Sequence, residues 1–248
     1  MAHKSDIEWT DVTWNPTTGC DRTSPGCDNC YALTLAKRLK AMGVDRYQND
    51  GDAPTSGPGF KLTTHEDLIE VPYRWKNPRL VFVNSMSDLF HDDVTEDFIQ
   101  RVFTVMAGTP RHTYQVLTKR TKRLMRLAPN LDWPPNVWMG ASVETASYRF
   151  RVDHLREVPA AVRFISAEPL LGPLGRVDMD GIDWMIAGGE SGAGARPMDI
   201  AWGRDLRDQC AAQGVKFFFK QWGGRTPKAG GRELDGRTWD DMPIPAAV

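Results

Sequence analysis

Seven short apolar runs, each leading into a segment of helical periodicity, constrain this chain more than any other feature. The runs fall at residues 7–14, 80–84, 113–117, 137–142, 163–166, 184–187 and 215–219. Most are continuously apolar rather than alternating, the pattern of strands buried on both faces of a parallel sheet. Helices are expected between them at 29–42, 95–107, 119–127, 146–156 and 199–213. The second carries Phe98, Val102, Phe103 and Met106 at helical spacing behind Thr95, an N-cap residue, and Gly214 follows the last as a C-cap residue should. Alternating βα units of this kind belong to the α/β class and build a parallel sheet. Seven of them favour a (βα) barrel, closed or partly closed, over a doubly wound open sheet.

Two segments break the pattern. Residues 44–60 are rich in Gly, Pro, Asp and Ser and are expected to form a surface loop. Residues 223–248 contain Gly230-Gly231 and Gly236 and are expected to form a loop-rich tail or small cap. With no internal repeat, residues 1–248 are taken as a single domain.

The formal net charge of −1 argues against a bulk electrostatic DNA binder and leaves room for a local basic patch. No run approaches the roughly 18 apolar residues of a membrane span, and residues 1–10 lack the apolar core of a signal peptide. A cytoplasmic, membrane-free protein is therefore expected. Of nine tryptophans, Trp9, Trp14, Trp138, Trp184 and Trp222 lie next to expected strands and are read as apolar wall residues.

Three of the four cysteines crowd into the eleven residues from Cys20 to Cys30. In a reducing compartment such clustering favours metal ligation or redox chemistry over disulfides. The segment runs Trp14-Asn-Pro-Thr-Thr-Gly-Cys20-Asp-Arg-Thr-Ser-Pro-Gly-Cys27-Asp-Asn-Cys30-Tyr31, between the first expected strand and the first expected helix. The C-x6-C-x2-C spacing, with Pro25 and Gly26 as turn residues, lets Cys20, Cys27 and Cys30 converge and leaves one coordination position free. A structural zinc normally closes with a fourth Cys or His. None of the five histidines stands at ligand spacing from another, so a [4Fe–4S] cluster with one open iron fits better than zinc, which stays open as the alternative. Cys210, four residues after Leu206, is read as a small buried hydrophobe.

Active sites of βα barrels gather at the C-terminal strand ends. Those ends carry Asn84, Ser85, Ser87 and Asp88; Thr118, Lys119 and Arg120; Ser142 and Glu144; Ser166 and Glu168; Gly188, Gly189, Glu190 and Ser191; and Lys220 and Gln221. Asp88, Glu144, Glu168 and Glu190 are costly to desolvate unless paired with cations or a ligand. Lys119, Arg120, Arg196 and Lys220 can supply the cations. The arrangement is either a ring of salt bridges or a pocket for a zwitterionic ligand. The run Lys119-Arg120-Thr121-Lys122-Arg123 can touch phosphate, but beyond the rim it is read as a solvated helix face. His91 is either an acid–base group or a surface residue.

A three-cysteine loop after the first strand of a βα barrel resembles the radical SAM superfamily, whose usual spacing is C-x3-C-x2-C. Over nearly the whole chain the sequence also resembles the phage Gp37/Gp68-like family, a domain of unknown function described by its three-Cys motif. That resemblance is carried by Trp14-Asn-Pro, Ser24-Pro-Gly-Cys-Asp-Asn-Cys-Tyr31, Asn84-Ser-Met-Ser-Asp-Leu-Phe90, Val116-Leu-Thr-Lys-Arg120 and Ser166-Ala-Glu-Pro-Leu-Leu-Gly172. Gly188-Gly-Glu-Ser-Gly192, Ala195-Arg-Pro-Met198 and Phe217-Phe-Phe-Lys-Gln-Trp-Gly223 extend it. It implies a radical SAM-like barrel in which a [4Fe–4S] cluster on Cys20, Cys27 and Cys30 reductively cleaves S-adenosyl-L-methionine, with the resulting radical acting on a substrate. It also implies an electron donor such as a flavodoxin or ferredoxin, and admits a partner protein. Ser85, Asp88, Lys119, Glu144, Ser166, Gly188 and Gly189 are the candidates for holding S-adenosylmethionine; Glu168, Glu190 and Lys220 are the catalytic candidates. The phage association and the rim cations point to a nucleic acid or nucleotide as substrate. Two other readings stand beside this one: a zinc- or cluster-stapled module that binds nucleic acid or protein without catalysis, and a barrel hydrolase or transferase using paired carboxylates.

Overall fold

A computed structural model describes residues 3–5, 7–226 and 228–245. The strands are β1 (His3–Lys4), β2 (Val12–Trp14), β3 (Thr17–Thr18), β4 (Thr63–Thr64) and β5 (Leu80–Val83), then β6 (Thr113–Thr118), β7 (Val137–Ser142), β8 (Val162–Ala167), β9 (Trp184–Gly188) and β10 (Lys216–Gln221). The α-helices are α1 (Tyr31–Ala41), α2 (Glu66–Ile69), α3 (Glu96–Ala107), α4 (Thr121–Leu127), α5 (Phe150–Arg156) and α6 (Ile200–Gln213).

Eight strands form one sheet in the order β1-β2-β5-β6-β7-β8-β9-β10. From β2 to β10 every pairing is parallel, and β1 adds to β2 antiparallel. The sheet curls into a half-barrel and, among the described residues, does not close. The closed form of the expected barrel is thereby corrected, and the two edges show why. The outer side of β2 is taken by β1. Outside β10 runs the C-terminal segment: the amide of Phe219 donates to Trp239 O (2.9 Å) and the amide of Asp241 to Phe217 O (3.2 Å). Counting strands does not reveal that both edges are already covered.

Side-chain parity separates two cores. Val81, Val83, Val116, Met139, Ala141, Ile165, Ala167, Met185, Ala187 and Phe219 face the helices in one cluster. The alternate residues Phe82, Trp138, Phe164, Trp184, Ile186 and Phe218 join Trp9 in a second cluster on the concave face. Trp184 is its hub, with ring centroids 6.2 Å from Trp9, 6.2 Å from Trp138, 5.5 Å from Phe164 and 6.1 Å from Phe218. Gly140 makes room for this floor, since a Cβ there would lie 2.3 Å from the Phe164 ring. Trp138, Phe164, Trp184 and Phe218 lie in the N-terminal halves of their strands, so the aromatic plug fills that end of the curl. The other end is left to the strand termini.

The helical expectations hold with shifts of a residue or two, except that the helix expected from 146 begins at Phe150. The Thr95 hydroxyl accepts from the amide of Phe98 (3.3 Å), and Gly214 closes α6 in the left-handed region at φ 71°. The expected strand over 7–14 shortens to Val12–Trp14, because Ile7 and Thr10 form a turn that swings Trp9 onto the floor. The helix expected over 119–127 starts at Thr121, leaving Lys119 and Arg120 on the strand end. The helix expected over 146–156 opens with a 3-10 turn, Ala146–Tyr148. The segment 44–60 is not purely a surface loop, since Tyr47 and Phe60 bury against Ala32 and Ala36 of α1. The C-terminal segment buries Leu234 completely and lays Trp239 against Phe217. Trp9, Trp14, Trp138 and Trp184 are buried, whereas Trp222 is half-buried and donates to Glu233 O (2.7 Å). No helix among the described residues is long and apolar enough to cross a membrane.

Candidate cysteine centre and polar mouth

The cysteine loop leaves β2, pairs β3 with β4, makes a 3-10 turn at Pro25–Cys27 and enters α1 with Cys30 as the N-cap residue. It thus lies across the C-terminal ends of the parallel strands. Cys20, Cys27 and Cys30 are free thiols, each half-buried. Each has a different electrostatic neighbour. Arg120 Nη1 donates to Cys20 Sγ (3.4 Å), and the hydroxyls of Thr23 and Ser24 stand 3.9 Å from Cys27 Sγ. Cys30 meets the Ala32 and Leu33 amides at the start of α1.

Burial pushes the Cys20 thiol up to about 12 in spite of Arg120, and burial raises Cys30 as well; the Cys27 charge adds to both. Burial also opposes ionisation of Cys27, but Lys119 together with the groups of Thr23 and Ser24 outweighs it, so this thiol is held below its usual value. The three sulfurs therefore feel one another, and Cys27 is the readiest thiolate.

Three strand-end carboxylates lash this loop down. Glu144, fully buried after β7, accepts from Ser24 Oγ (2.5 Å), Lys119 Nζ (2.8 Å) and Arg151 Nη1 (2.8 Å). Burial alone would raise its pKa, but Lys119 and Arg151 lower it. Glu190, after β9, accepts from Asn29 Nδ2 (2.9 Å) and from the backbone N (2.9 Å), Nε (2.9 Å) and Nη2 (2.5 Å) of Arg196. Arg196 in turn donates to Pro25 O (2.8 Å). Burial opposes the Glu190 charge, yet these bonds leave its carboxyl lowered. Asp88, after β5, accepts from Thr118 Oγ1 (2.7 Å) and from the amides of Lys119 (3.0 Å) and Phe90 (3.0 Å), with Arg120 Nη1 at 3.5 Å. A fourth tie runs from buried His91, whose Nε2 lies 2.9 Å from Asp21 Oδ2.

The remaining candidates stand apart from these ties. Lys220 Nζ pairs with Glu168 Oε1 at 3.2 Å on the concave side, and among the described residues no hydrogen bond or ion pair ties either group to the cysteine loop. Ser166 shares their face one strand step below Glu168 and is buried. Gly188 makes room for that carboxylate, since a Cβ there would lie 2.5 Å from Glu168 Oε1. Gly189 lets the backbone just after β10 pass, with a built Cβ 1.9 Å from Trp222 O. Ser85 Oγ donates to Asn15 Oδ1 (3.2 Å), and its carbonyl accepts from the hydroxyl of Tyr31 (2.6 Å). All the cofactor-side candidates thus gather at one end of the sheet, but Asp88, Glu144 and Glu190 are occupied by protein partners.

Sequence reasoning missed Arg151, Asn29, Tyr31 and Ser24 as members of this network. Asn29, Ser24 and Tyr31 were flagged only by lying within the cysteine motif, and nothing in the sequence shows that Arg151 is buried. Arg123 is not on a solvated face: it donates to His91 O and Val94 O. Cys210 is buried with its sulfur 3.7 Å from Met179 Sδ, as a small hydrophobe should be.

The donor set is three soft sulfurs, each near a cation, hydroxyl or amide that favours thiolate, which suits an iron–sulfur group. Among the described residues no group of three His, Cys, Asp or Glu side chains is gathered tightly enough to hold a metal ion. A zinc would need its sulfurs about 2.3 Å from a single point. A cubane instead takes each thiolate on a different iron, so its ligands need only face one cavity.

Fold and site together define an open, curled parallel α/β sheet that carries a three-cysteine loop across its C-terminal edge. The chain belongs to the family described as Protein of unknown function (DUF5131), which matches residues 4–243. No curated protein matches it. Solved structures of spore photoproduct lyase are similar to it. A cysteine-to-serine mutant gives TM-score 0.46 at 13% identity, covering 77% of this chain and 58% of that chain. A complex with dinucleoside spore photoproduct gives TM-score 0.47 at 11% identity, covering 84% and 63%. A tyrosine-to-phenylalanine mutant gives TM-score 0.48 at 12% identity, with the same coverage. The chain spans about three fifths of the length of those chains.

Proposed function

We propose that this chain is a radical SAM enzyme in which Cys20, Cys27 and Cys30 hold a [4Fe–4S] cluster beside a pocket for S-adenosyl-L-methionine. One observation carries the reading. The cysteine loop is fixed over the strand ends by Asp88, Glu144 and Glu190, while the Glu168–Lys220 pair beside it is left uncommitted to the loop. Glu144 and Glu190 hold the loop directly and Asp88 holds it through Arg120; the fourth carboxylate is the one we assign to a ligand.

A cluster held by Cys20, Cys27 and Cys30 would supply the one-electron reduction that cleaves bound S-adenosylmethionine. The protein's part is to bind and orient. Glu168 would accept hydrogen bonds from the ribose hydroxyls, with Lys220, 3.2 Å away, holding that carboxylate in place. Ser166 and Gly188 form the wall beneath it. Ser85, fixed by Asn15, offers its hydroxyl to the methionyl end. The aromatic floor closes the pocket below and excludes water there. Glu190 acts by holding Arg196 and the loop. A flavodoxin or ferredoxin would deliver the electron.

The substrate is read by polar groups rather than drawn in by charge, because Lys119, Arg120, Arg196 and Lys220 all end on carboxylates. A nucleotide or a short nucleic-acid segment fits this better than a long polyanion gripped through its phosphates.

Anaerobic reconstitution with iron and sulfide, reduction, and incubation with S-adenosylmethionine tests the reading. A brown protein that releases 5′-deoxyadenosine is the expected result. Stoichiometric, tightly held zinc with no cleavage would replace it with a metal-stapled binding module. A Cys27→Ala variant that keeps full activity on its substrate would point to carboxylate chemistry instead.

A further inference from the structure

Arg120 differs from the other cations of the mouth. Lys119 spends its charge on Glu144 at 2.8 Å, and Lys220 meets Glu168 at 3.2 Å. Arg120 divides its guanidinium between a carboxylate and a cysteine sulfur. Nη1 lies 3.4 Å from Cys20 Sγ and 3.5 Å from Asp88 Oδ2, while Nη2 donates to Asp21 O at 3.3 Å. The side chain is only 9% exposed. Its backbone is fixed too, since the Arg120 amide donates to Thr118 Oγ1 (2.9 Å), the same hydroxyl that bonds Asp88. The groups in hydrogen-bond contact with the other two sulfurs are neutral, hydroxyls at 3.9 Å for Cys27 and helix amides for Cys30, and Lys119 acts on both only through space while it is paired with Glu144.

Hydrogen bonds to ligand sulfurs, net charge and burial are the levers by which a protein sets an iron–sulfur potential. A guanidinium keeps its charge at any working pH, and a partly buried site weakens solvent screening of that charge. An N–H···S bond from such a group withdraws electron density from the sulfur and stabilises the cluster after it gains an electron. We infer that Arg120 holds the reduction potential of the cluster above the value thiolate ligation alone would give, through its bond to Cys20 Sγ, with Asp88 as the opposing charge that limits the effect. The inference rests on the cluster reading above. Arg120 is a positioning and tuning residue, with no contact to the reacting atoms assigned to it.

The test is a potentiometric titration of the reconstituted full chain, following the electron paramagnetic resonance of the reduced cluster, with iron and sulfide measured in each sample. Arg120→Gln should lower the midpoint so that the reduced fraction at a fixed poise falls about tenfold, which is about 59 mV for a one-electron couple. Arg120→Lys should recover most of that loss. Asp88→Asn removes the opposing charge and should move the midpoint the other way, upward. Opposite signs at two touching residues are not what a purely structural role produces. An Arg120→Gln protein with a full cluster and an unchanged midpoint overturns the inference. If that variant fails to hold a cluster, Asp88→Asn decides: a raised midpoint supports the inference, an unchanged or lowered one overturns it. A wild-type chain that takes up no iron overturns the cluster reading itself, an outcome distinct from a wild-type cluster that ignores Arg120.

Discussion

The two ends of the concave face are built from the same strands in the same parity, yet one is a dry aromatic plug and the other a lattice of charges. Phe164 and Ser166 lie on one face of β8, and two positions further on is Glu168; Phe218 and Lys220 repeat the pattern on β10. Parallel strands make the contrast inevitable, because every strand begins at one end of the curl and finishes at the other. Apolar residues at the starts therefore fuse into one floor, and polar residues at the finishes fuse into one mouth. The floor gains its stability from area removed from water. At the mouth, nearly every charge has a partner, since an unpaired buried charge is far costlier than an unfilled apolar contact.

The contrast can be broken from either side. Glu144→Ala would strand Arg151 and Lys119 without their carboxylate, at a cost of about 3–5 kcal/mol, and would free Ser24. Urea denaturation should show that loss together with poor iron incorporation. Trp184→Ala should cost a comparable 3–5 kcal/mol or slightly less by opening a cavity at the hub of the floor, as read by the same denaturation. Its iron content per folded molecule should stay near wild type, which separates the two ends. Gly140→Ala should cost about 1–3 kcal/mol by forcing a methyl group into the Phe164 ring. Glu168→Gln should change stability least, by about 1 kcal/mol, because its pair with Lys220 lies partly in solvent. It should nevertheless weaken S-adenosylmethionine binding measured by calorimetry. A Glu168→Gln protein that binds as wild type does would remove the pair from the proposed pocket.

Acid should also attack the two ends unequally. Glu144 has its carboxyl held below its ordinary value of 4.5 in the folded protein, against the cost of burial, by Lys119 and Arg151. A depressed folded pKa gives stability that is fully present above the unfolded value and is lost as the pH falls through the folded one. The apo-protein should therefore keep this contribution at neutral pH and lose it below about 4.5, the ordinary value. The acid limb of its stability profile should flatten in Glu144→Gln. An equally steep limb in that variant would place the acid sensitivity elsewhere, with Glu190 as the next group to replace.

Much of the fold was legible because strand and helix periods are local. The apolar runs from residue 80 onward became strands, and Thr95 and Gly214 became caps, since both signals depend on neighbouring residues alone. Edge coverage was not legible. The antiparallel β1 and the C-terminal segment against β10 are long-range choices, and they decide between a closed ring and an open curl. In the same way, spacing gathered the candidate residues at one end of the sheet but did not assign their partners. Asp88, Glu144 and Glu190 share the sequence context of Glu168, each coming just after an apolar strand.

The sequence by itself determined the alternation of elements, the end of the sheet where the chemistry gathers, and a loop of three thiols across it, because periodicity and chain direction are written in order along the chain. Only the tertiary structure decided that three of the four carboxylates brace the cysteine loop and that Glu168 is spared. That outcome depends on Ser24, Asn29, Arg120, Arg151 and Arg196 arriving from separate parts of the chain. The energy of a buried charge is set by its neighbours in space, and a sequence does not list those neighbours.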